Sequence, residues 1–202
     1  MKQIKIIGVG MGNPETLTIQ AKKTIEQCTC LVGAARMLEG WPQEKKIPAI
    51  RPEEICSAIQ SAPEGCVGVL MSGDVGFYSG CNRLLPLLKD YEVECIAGIS
   101  SLQYFCAKAQ LPWQDAHVVS LHGREGDLLQ AVRRHPKVFV LTGGGSGLAE
   151  TLKELQQNGP KEATLWVGQR LSYPDECITK GPLGQAVIKE SYPSLTVLLI
   201  QN

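Results

Sequence analysis

The chain has 202 residues, 44% of them hydrophobic, and its 20 Lys and Arg residues balance 20 Asp and Glu residues to zero formal charge. That length and apolar content suffice for one large or two small α/β domains with a real core. Neutrality excludes a global nucleic-acid or membrane-surface footprint, so an anionic ligand has to be met by a few local cations. The sequence holds no run of roughly 18 apolar residues and no signal-peptide pattern ahead of its first strand, which gives a cytoplasmic expectation with no membrane and no nucleic-acid partner.

The predicted elements begin with a strand over Ile4–Val9 that runs into Gly8-Val9-Gly10-Met11-Gly12-Asn13-Pro14-Glu15. Alternate glycines remove the Cβ atoms above a turn, so a small molecule can lie against bare backbone N–H groups. A dinucleotide fingerprint would place its third glycine where Asn13 stands, and Pro14 follows at once, so the turn is longer than a dinucleotide loop. Helical spacing resumes over 18–27, with Leu17, Ile19, Ala21 and Ile25 on one face.

Short buried strands are expected at Cys30–Val32, Cys66–Met71 and Val93–Ile96, with helices near Glu53–Ser61, Asn82–Lys89 and Ser101–Ala109. This alternation predicts a mostly parallel sheet with helices on both faces. The character changes after Gln110-Leu111-Pro112-Trp113, which sets the expected boundary between domains 1–112 and 113–202. Strands at Ala116–Ser120, Val138–Leu141, Ala163–Val167, Cys177–Thr179 and Leu195–Ile200 follow, with helices near Asp127–His135 and Leu148–Asn158. The later strands share a short Gly-Pro connection in place of long helices, which points to antiparallel neighbours and a mixed second sheet.

The candidate chemistry sits in loops. Ser72-Gly73-Asp74-Val75-Gly76-Phe77-Tyr78-Ser79-Gly80 follows an apolar strand and combines glycines, a carboxylate and aromatics. Asp74 has a plain alternative, capping the turn after it. Ser100 and Ser101 precede an apolar helix, where a serine is a natural N-cap. Thr142-Gly143-Gly144-Gly145-Ser146-Gly147 is glycine-rich but lacks the Gly-Lys-Ser/Thr ending of a P-loop. His122 and Arg124 lie just past a strand, where guanidinium suits bidentate carboxylate recognition. Arg36, Arg83 and Arg170 are weaker candidates that read first as solvated charges, and Trp41, Trp113 and Trp166 read as packing residues. The eight cysteines form no CxxC pair and read as reduced packing thiols, with Cys28 and Cys30 the only pair close enough to suggest a metal or redox role. No protein-bound metal is expected.

Three of these segments resemble, in order and spacing, the tetrapyrrole methylases, S-adenosylmethionine enzymes of corrin and siroheme synthesis. Gly8-Val9-Gly10-Met11-Gly12-Asn13-Pro14-Glu15-Thr16-Leu17-Thr18 is similar to the family's opening motif, with Met11 for proline and Asn13 for aspartate. Ser72–Gly80 is similar to its GDP-containing loop, with Val75 for proline, and Ala97-Gly98-Ile99-Ser100-Ser101 to its PGISS segment, with Ala97 for proline. The resemblance implies two unlike α/β domains with a cleft between them, and a homodimer. It also implies S-adenosylmethionine as co-substrate at Gly10, Met11, Gly12, Ser72, Gly73, Asp74, Phe77, Ser100, Ser101, Thr142 and Gly143. His122 and Arg124 are then placed at the substrate, and no residue is assigned a catalytic role. Within the family, Ser120–Arg124 and Tyr173–Glu176 look most like enzymes that methylate C5 of a late corrin intermediate of the cobalt-precorrin-7 or precorrin-6Y type. A chain ending at Asn202 is then expected to stand alone, with C15 methylation and decarboxylation on another polypeptide. The alternatives are methylation of another ring position, a nicotinamide-dependent oxidoreductase, which the interrupted glycine fingerprint disfavours, and a non-catalytic binding module.

Overall fold

A computed structural model of the chain describes residues 2–121 and 127–202. It divides into two compact units, residues 1–101 and 102–202. The division falls ahead of the helix that the sequence reading had placed before its boundary at Pro112.

The first unit is built on five parallel strands: β1 (Gln3–Gly8), β2 (Cys30–Gly33), β3 (Lys46–Pro48), β4 (Cys66–Met71) and β5 (Glu92–Ile96), in the order β3-β2-β4-β1-β5. β1 is flanked by β4 and β5, with Gln3 opposite Cys66 on one side and Glu92 on the other. Its run of isoleucines serves two faces, because successive side chains alternate across a strand. Ile4 and Ile6 pack with Val67, Val69, Ile55 and Ile59, whereas Ile7 packs with Ala21, Ile25, Leu31 and Leu70. Burial on both faces is what a parallel sheet requires. Helices α1 (Ile19–Gln27) and α2 (Ala35–Leu38) supply one layer, and α3 (Pro52–Ser61) and α4 (Cys81–Leu84) the other.

Two local signals moved. The helix expected over Asn82–Lys89 breaks into α4 and a 3-10 turn at Leu85–Leu87, since Pro86 removes a backbone donor that a continuing helix needs. β3 was missing from the reading because it is a three-residue edge strand without a buried residue.

The second unit takes in α5 (Ser101–Ala109) from Leu102 onward and carries β6 (His117–Ser120), α6 (Leu128–Arg134), β7 (Lys137–Leu141), α7 (Gly145–Asn158), β8 (Thr164–Gln169), β9 (Cys177–Pro182) and β10 (Thr196–Gln201). The strand order is β6-β7-β10-β8-β9, with β6 and β7 parallel and the other pairs antiparallel. The mixed sheet is as expected, but Gly181-Pro182 closes β9 and the connection from β8 to β9 is Arg170–Glu176. Asp127 caps α6 by accepting the Gln130 N–H at 2.8 Å. Lys137 is buried at 3% exposure, with Nζ on Asp115 Oδ1 and on the Pro112 carbonyl, each at 2.7 Å. Trp113 is 46% exposed, outside the buried core. Among the described residues no helix is long and apolar enough to cross a membrane.

Candidate functional site

In an open α/β sheet, ligands sit beyond the carboxyl ends of the strands. At that edge of the first unit the loops after β1, β4 and β5 meet as backbone. Val9 N–H donates to the Met71 carbonyl at 2.9 Å, and Gly10 and Gly73 exchange two hydrogen bonds of 3.2 and 2.6 Å. The two turns thus form a small antiparallel bridge after parallel strands. Both glycines have positive φ, 66° and 72°, where a side chain is strained. A Cβ on Gly98 would lie 2.3 Å from the Gly73 carbonyl oxygen, and one on Gly8 2.7 Å from the same atom. A Cβ on Gly73 would meet only Ser100 Cα, at 3.8 Å. Glycine is therefore required at positions 98 and 8 by the approach of neighbouring backbone, whereas at Gly73 a Cβ would find room.

Asp74 locks the arrangement. Its Oδ1 accepts the Gly76 N–H at 2.8 Å, the turn cap foreseen from sequence, and its Oδ2 accepts the Gly98 N–H at 3.0 Å. The carboxylate therefore reaches over the end of β1 to join loops from the strands on either side of it.

The first loop is shaped by its departures from the dinucleotide pattern. Asn13 Oδ1 accepts the Glu15 N–H at 2.9 Å and caps a 3-10 turn over Pro14–Thr16. Thr18 then caps α1, accepting the Ala21 N–H at 3.0 Å. No helix N-terminus points into the glycine turn at once, which a pyrophosphate site would need. Met11 is buried and Gly12 exposed with φ 123°. Ser72 is exposed, Phe77 is half-buried and edge-on to Tyr78, and Ser100 is buried immediately before Ser101 opens α5.

Gly10, Met11, Gly12, Ser72, Gly73, Asp74, Phe77 and Ser100 are thus all on loops of one sheet edge, and Ser101 opens the helix that follows the last of them. Thr142 and Gly143 follow β7 in the second unit. The Thr142 hydroxyl donates to the Thr196 carbonyl at 2.7 Å and accepts the Gly144 N–H at 3.2 Å, holding the end of β7 to β10. His122 and Arg124 lie outside the described residues. The sequence reading missed the contact of Arg36 Nη2 with Ser72 Oγ at 3.0 Å. Arginine spacing alone carries no signal for it; the order of β2 and β4 does.

A family model for tetrapyrrole (corrin/porphyrin) methylases matches residues 3–187. The chain belongs to this family. As a tetrapyrrole methylase it is a methyltransferase. It is 32% identical to a probable cobalt-precorrin-7 C(5)-methyltransferase of Methanocaldococcus jannaschii, over 98% of each chain. It is 29% identical to the cobalt-precorrin-7 C(5)-methyltransferase of Salmonella typhimurium, over 98% of this chain and 99% of that one. Among solved structures, a uroporphyrin-III C-methyl transferase from Thermus thermophilus complexed with S-adenyl homocysteine superposes with a TM-score of 0.74 at 21% identity, over 99% of this chain and 97% of that one.

The cysteines group differently from the sequence pairing. Cys28 Sγ lies 3.4 Å from Cys66 Sγ, and burial, ahead of the contact with Cys66, pushes the Cys28 thiol well above its ordinary value. Cys81 is pushed up to about 11, first by burial and then by Cys95. All eight are free thiols, and among the described residues no group of three His, Cys, Asp or Glu could hold a metal ion.

Proposed function

We propose that this tetrapyrrole methylase transfers the methyl group of S-adenosylmethionine to C5 of a late corrin intermediate of the cobalt-precorrin-7 or precorrin-6Y type. The observation that carries the ring position is the match, across nearly the whole length, to two C(5)-methyltransferases.

The cradle fits such a co-substrate. At Gly73 a Cβ would meet only Ser100 Cα, at 3.8 Å, so a flat group would there lie against bare backbone. Gly10, Met11, Gly12, Ser72, Gly73, Phe77, Ser100 and Ser101 would hold it, mostly through backbone, while Asp74 keeps two of the loops together. When bound, S-adenosylmethionine supplies an electrophilic methyl on a sulfonium that leaves without acid assistance. The protein's part is then to hold methyl donor and ring carbon in line and to exclude water, an orientation effect worth several kcal/mol, up to roughly 7–11 in well-aligned systems. No nucleophilic triad is needed for that division of labour.

The test is incubation of the purified protein with methyl-labelled S-adenosylmethionine and a panel of cobalt and metal-free corrin intermediates, with the methylated position mapped by NMR. Label at C5 of a precorrin-7 or precorrin-6Y substrate supports the reading; label at another carbon overturns it. Thermal shift by S-adenosylhomocysteine and none by NADH is the companion result, since a ligand far above its Kd stabilises by a few kcal/mol. The same reading includes a homodimer in the cytoplasm, and a monomeric mass by light scattering at micromolar protein would remove the dimer from it.

A further inference from the structure

The second sheet ends in a row of polar side chains. β7 and β8 both run antiparallel to β10, so their carboxyl ends share one edge, where Thr142, Thr196 and Gln169 follow one another across β7, β10 and β8. All three are buried. The threonines use their hydroxyls on the fold: Thr142 donates to the Thr196 carbonyl and Thr196 to the Pro193 carbonyl, each at 2.7 Å. Gln169, 5% exposed, is used differently. Its Oε1 accepts from Lys189 Nζ at 3.2 Å. An ammonium only donates, so this contact settles which end of the carboxamide is oxygen and leaves the N–H₂ for another partner. Among the described residues that N–H₂ has no acceptor, a costly state for a buried amide.

Lys189 is held from behind. Its backbone N–H donates to the Tyr192 hydroxyl at 3.1 Å, and Tyr192 is buried and bridged through its backbone to Gly145. The lysine itself is exposed, and the partner it finds in Gln169 is a neutral oxygen, which orients an ammonium without neutralising it. Other cations of this unit meet acids or carbonyls. Lys108 faces Glu176 at 3.6 Å, Lys137 is on Asp115, Arg170 on Asp175 and Arg133 on the Asn158 carbonyl. Among the described residues Lys189 pairs with no carboxylate.

We propose that Gln169 and Lys189 form a carboxylate-binding site at the edge of the second sheet, and that it takes a peripheral carboxylate of the tetrapyrrole. The inference rests on the corrin methylase reading above. An ammonium and an amide N–H₂ are both donors, and they flank one carboxamide, so one anionic group with two oxygens satisfies both. The lysine supplies charge and the buried glutamine fixes its direction. A chain of zero formal charge must recognise a polyanionic ring through such placed cations. The methyl donor also carries a carboxylate, on its amino-acid end, and the probes below separate the two sources.

The experiment compares wild type, Lys189→Ala and Gln169→Glu by calorimetry with four probes: cobyrinic acid as a corrin polycarboxylate, its fully esterified form, S-adenosylhomocysteine, and methylthioadenosine, which lacks the amino-acid end. Thermal unfolding of each variant checks the fold. Lys189→Ala is expected to bind cobyrinic acid about tenfold or more weakly, a loss of about 1.4 kcal/mol or more, with the ester and both nucleosides unaffected. Gln169→Glu keeps the shape of the side chain, but gives Lys189 a counter-charge and removes the N–H₂ donor, so it should lose at least as much. Equal affinity of wild type and Lys189→Ala for cobyrinic acid overturns the inference, as does an equal loss for acid and ester, which a merely structural role would give. Loss confined to S-adenosylhomocysteine, with methylthioadenosine and cobyrinic acid unchanged, overturns the assignment to the macrocycle and moves the site to the methyl donor. If wild type binds S-adenosylhomocysteine but not cobyrinic acid, the inference falls alone; if it binds neither, the functional reading falls with it.

Discussion

The Asp74 carboxylate accepts the Gly98 N–H at 3.0 Å, across the end of the strand that separates their own two strands. Asp74→Asn puts an amide N–H₂ where one of two N–H donors now finds an oxygen, so Gly76 or Gly98 is left facing a donor. The expected cost is about 1–3 kcal/mol, read as a lower urea midpoint. Weaker S-adenosylhomocysteine binding should accompany it, because the loops after β4 and β5 lose their common anchor. Unchanged stability would show that the carboxylate is not the anchor.

Gly98→Ala and Gly73→Ala should separate fold from binding. The first sets a methyl against the Gly73 carbonyl and should destabilise by roughly 1–3 kcal/mol or more, as overpacking does. The second costs about 1–2 kcal/mol for a left-handed alanine but meets no close neighbour, so the protein should fold and yet bind S-adenosylhomocysteine poorly. Denaturant melts beside calorimetric titrations measure both; normal affinity in folded Gly73→Ala would remove Gly73 from the cradle.

Acid stability should depend on Asp115. The hydrogen bond from Lys137 is the main reason its carboxyl is held below the ordinary carboxylate range. A lowered folded value contributes stability that is present above the unfolded value, about 4, and is lost as pH falls through the folded one. Asp115→Asn should therefore lower stability at neutral pH, where buried Lys137 loses its counter-charge, and should flatten the fall in stability below about pH 4 relative to wild type. Parallel acid limbs for the two proteins would contradict this.

Oxidation should join Cys28 to Cys66 and leave Cys30 out. Treatment with diamide would take two electrons and two protons from the thiol pair at 3.4 Å and form one disulfide, slowly, because burial holds the Cys28 thiol in its protonated form. Peptide mapping should find the Cys28–Cys66 link; a Cys28–Cys30 link would reject the pairing.

Much of this was legible in the chain. Cys66–Met71 is an apolar run long enough for a central strand and became β4 with those bounds, and Ser101–Ala109 became α5 likewise. The glycine turn, the loop after β4 and the one after β5 were recognised as one kind of object, and the sheet order explains why: their strands are neighbours. Partners distant in sequence were not legible. Cys28 and Cys66, Asp74 and Gly98, and Arg36 and Ser72 are joined only once β4 inserts between β2 and β1. β3 was illegible for another reason, since Lys46-Ile47-Pro48 has neither apolar run nor alternation.

That insertion also orders events in time. Of the strands in the first sheet β1 is made first, yet its neighbours on both sides, β4 and β5, come from the far half of the unit. One of its edges waits for Met71 and the other for Ile96, and such non-local parallel pairing is slow and exposed to aggregation. The cradle is composed of the loops behind those same three strands, so it is among the last features of the unit to exist. Capture of the methyl donor would therefore act as a late seal on folding, favouring only chains in which the whole first sheet has closed.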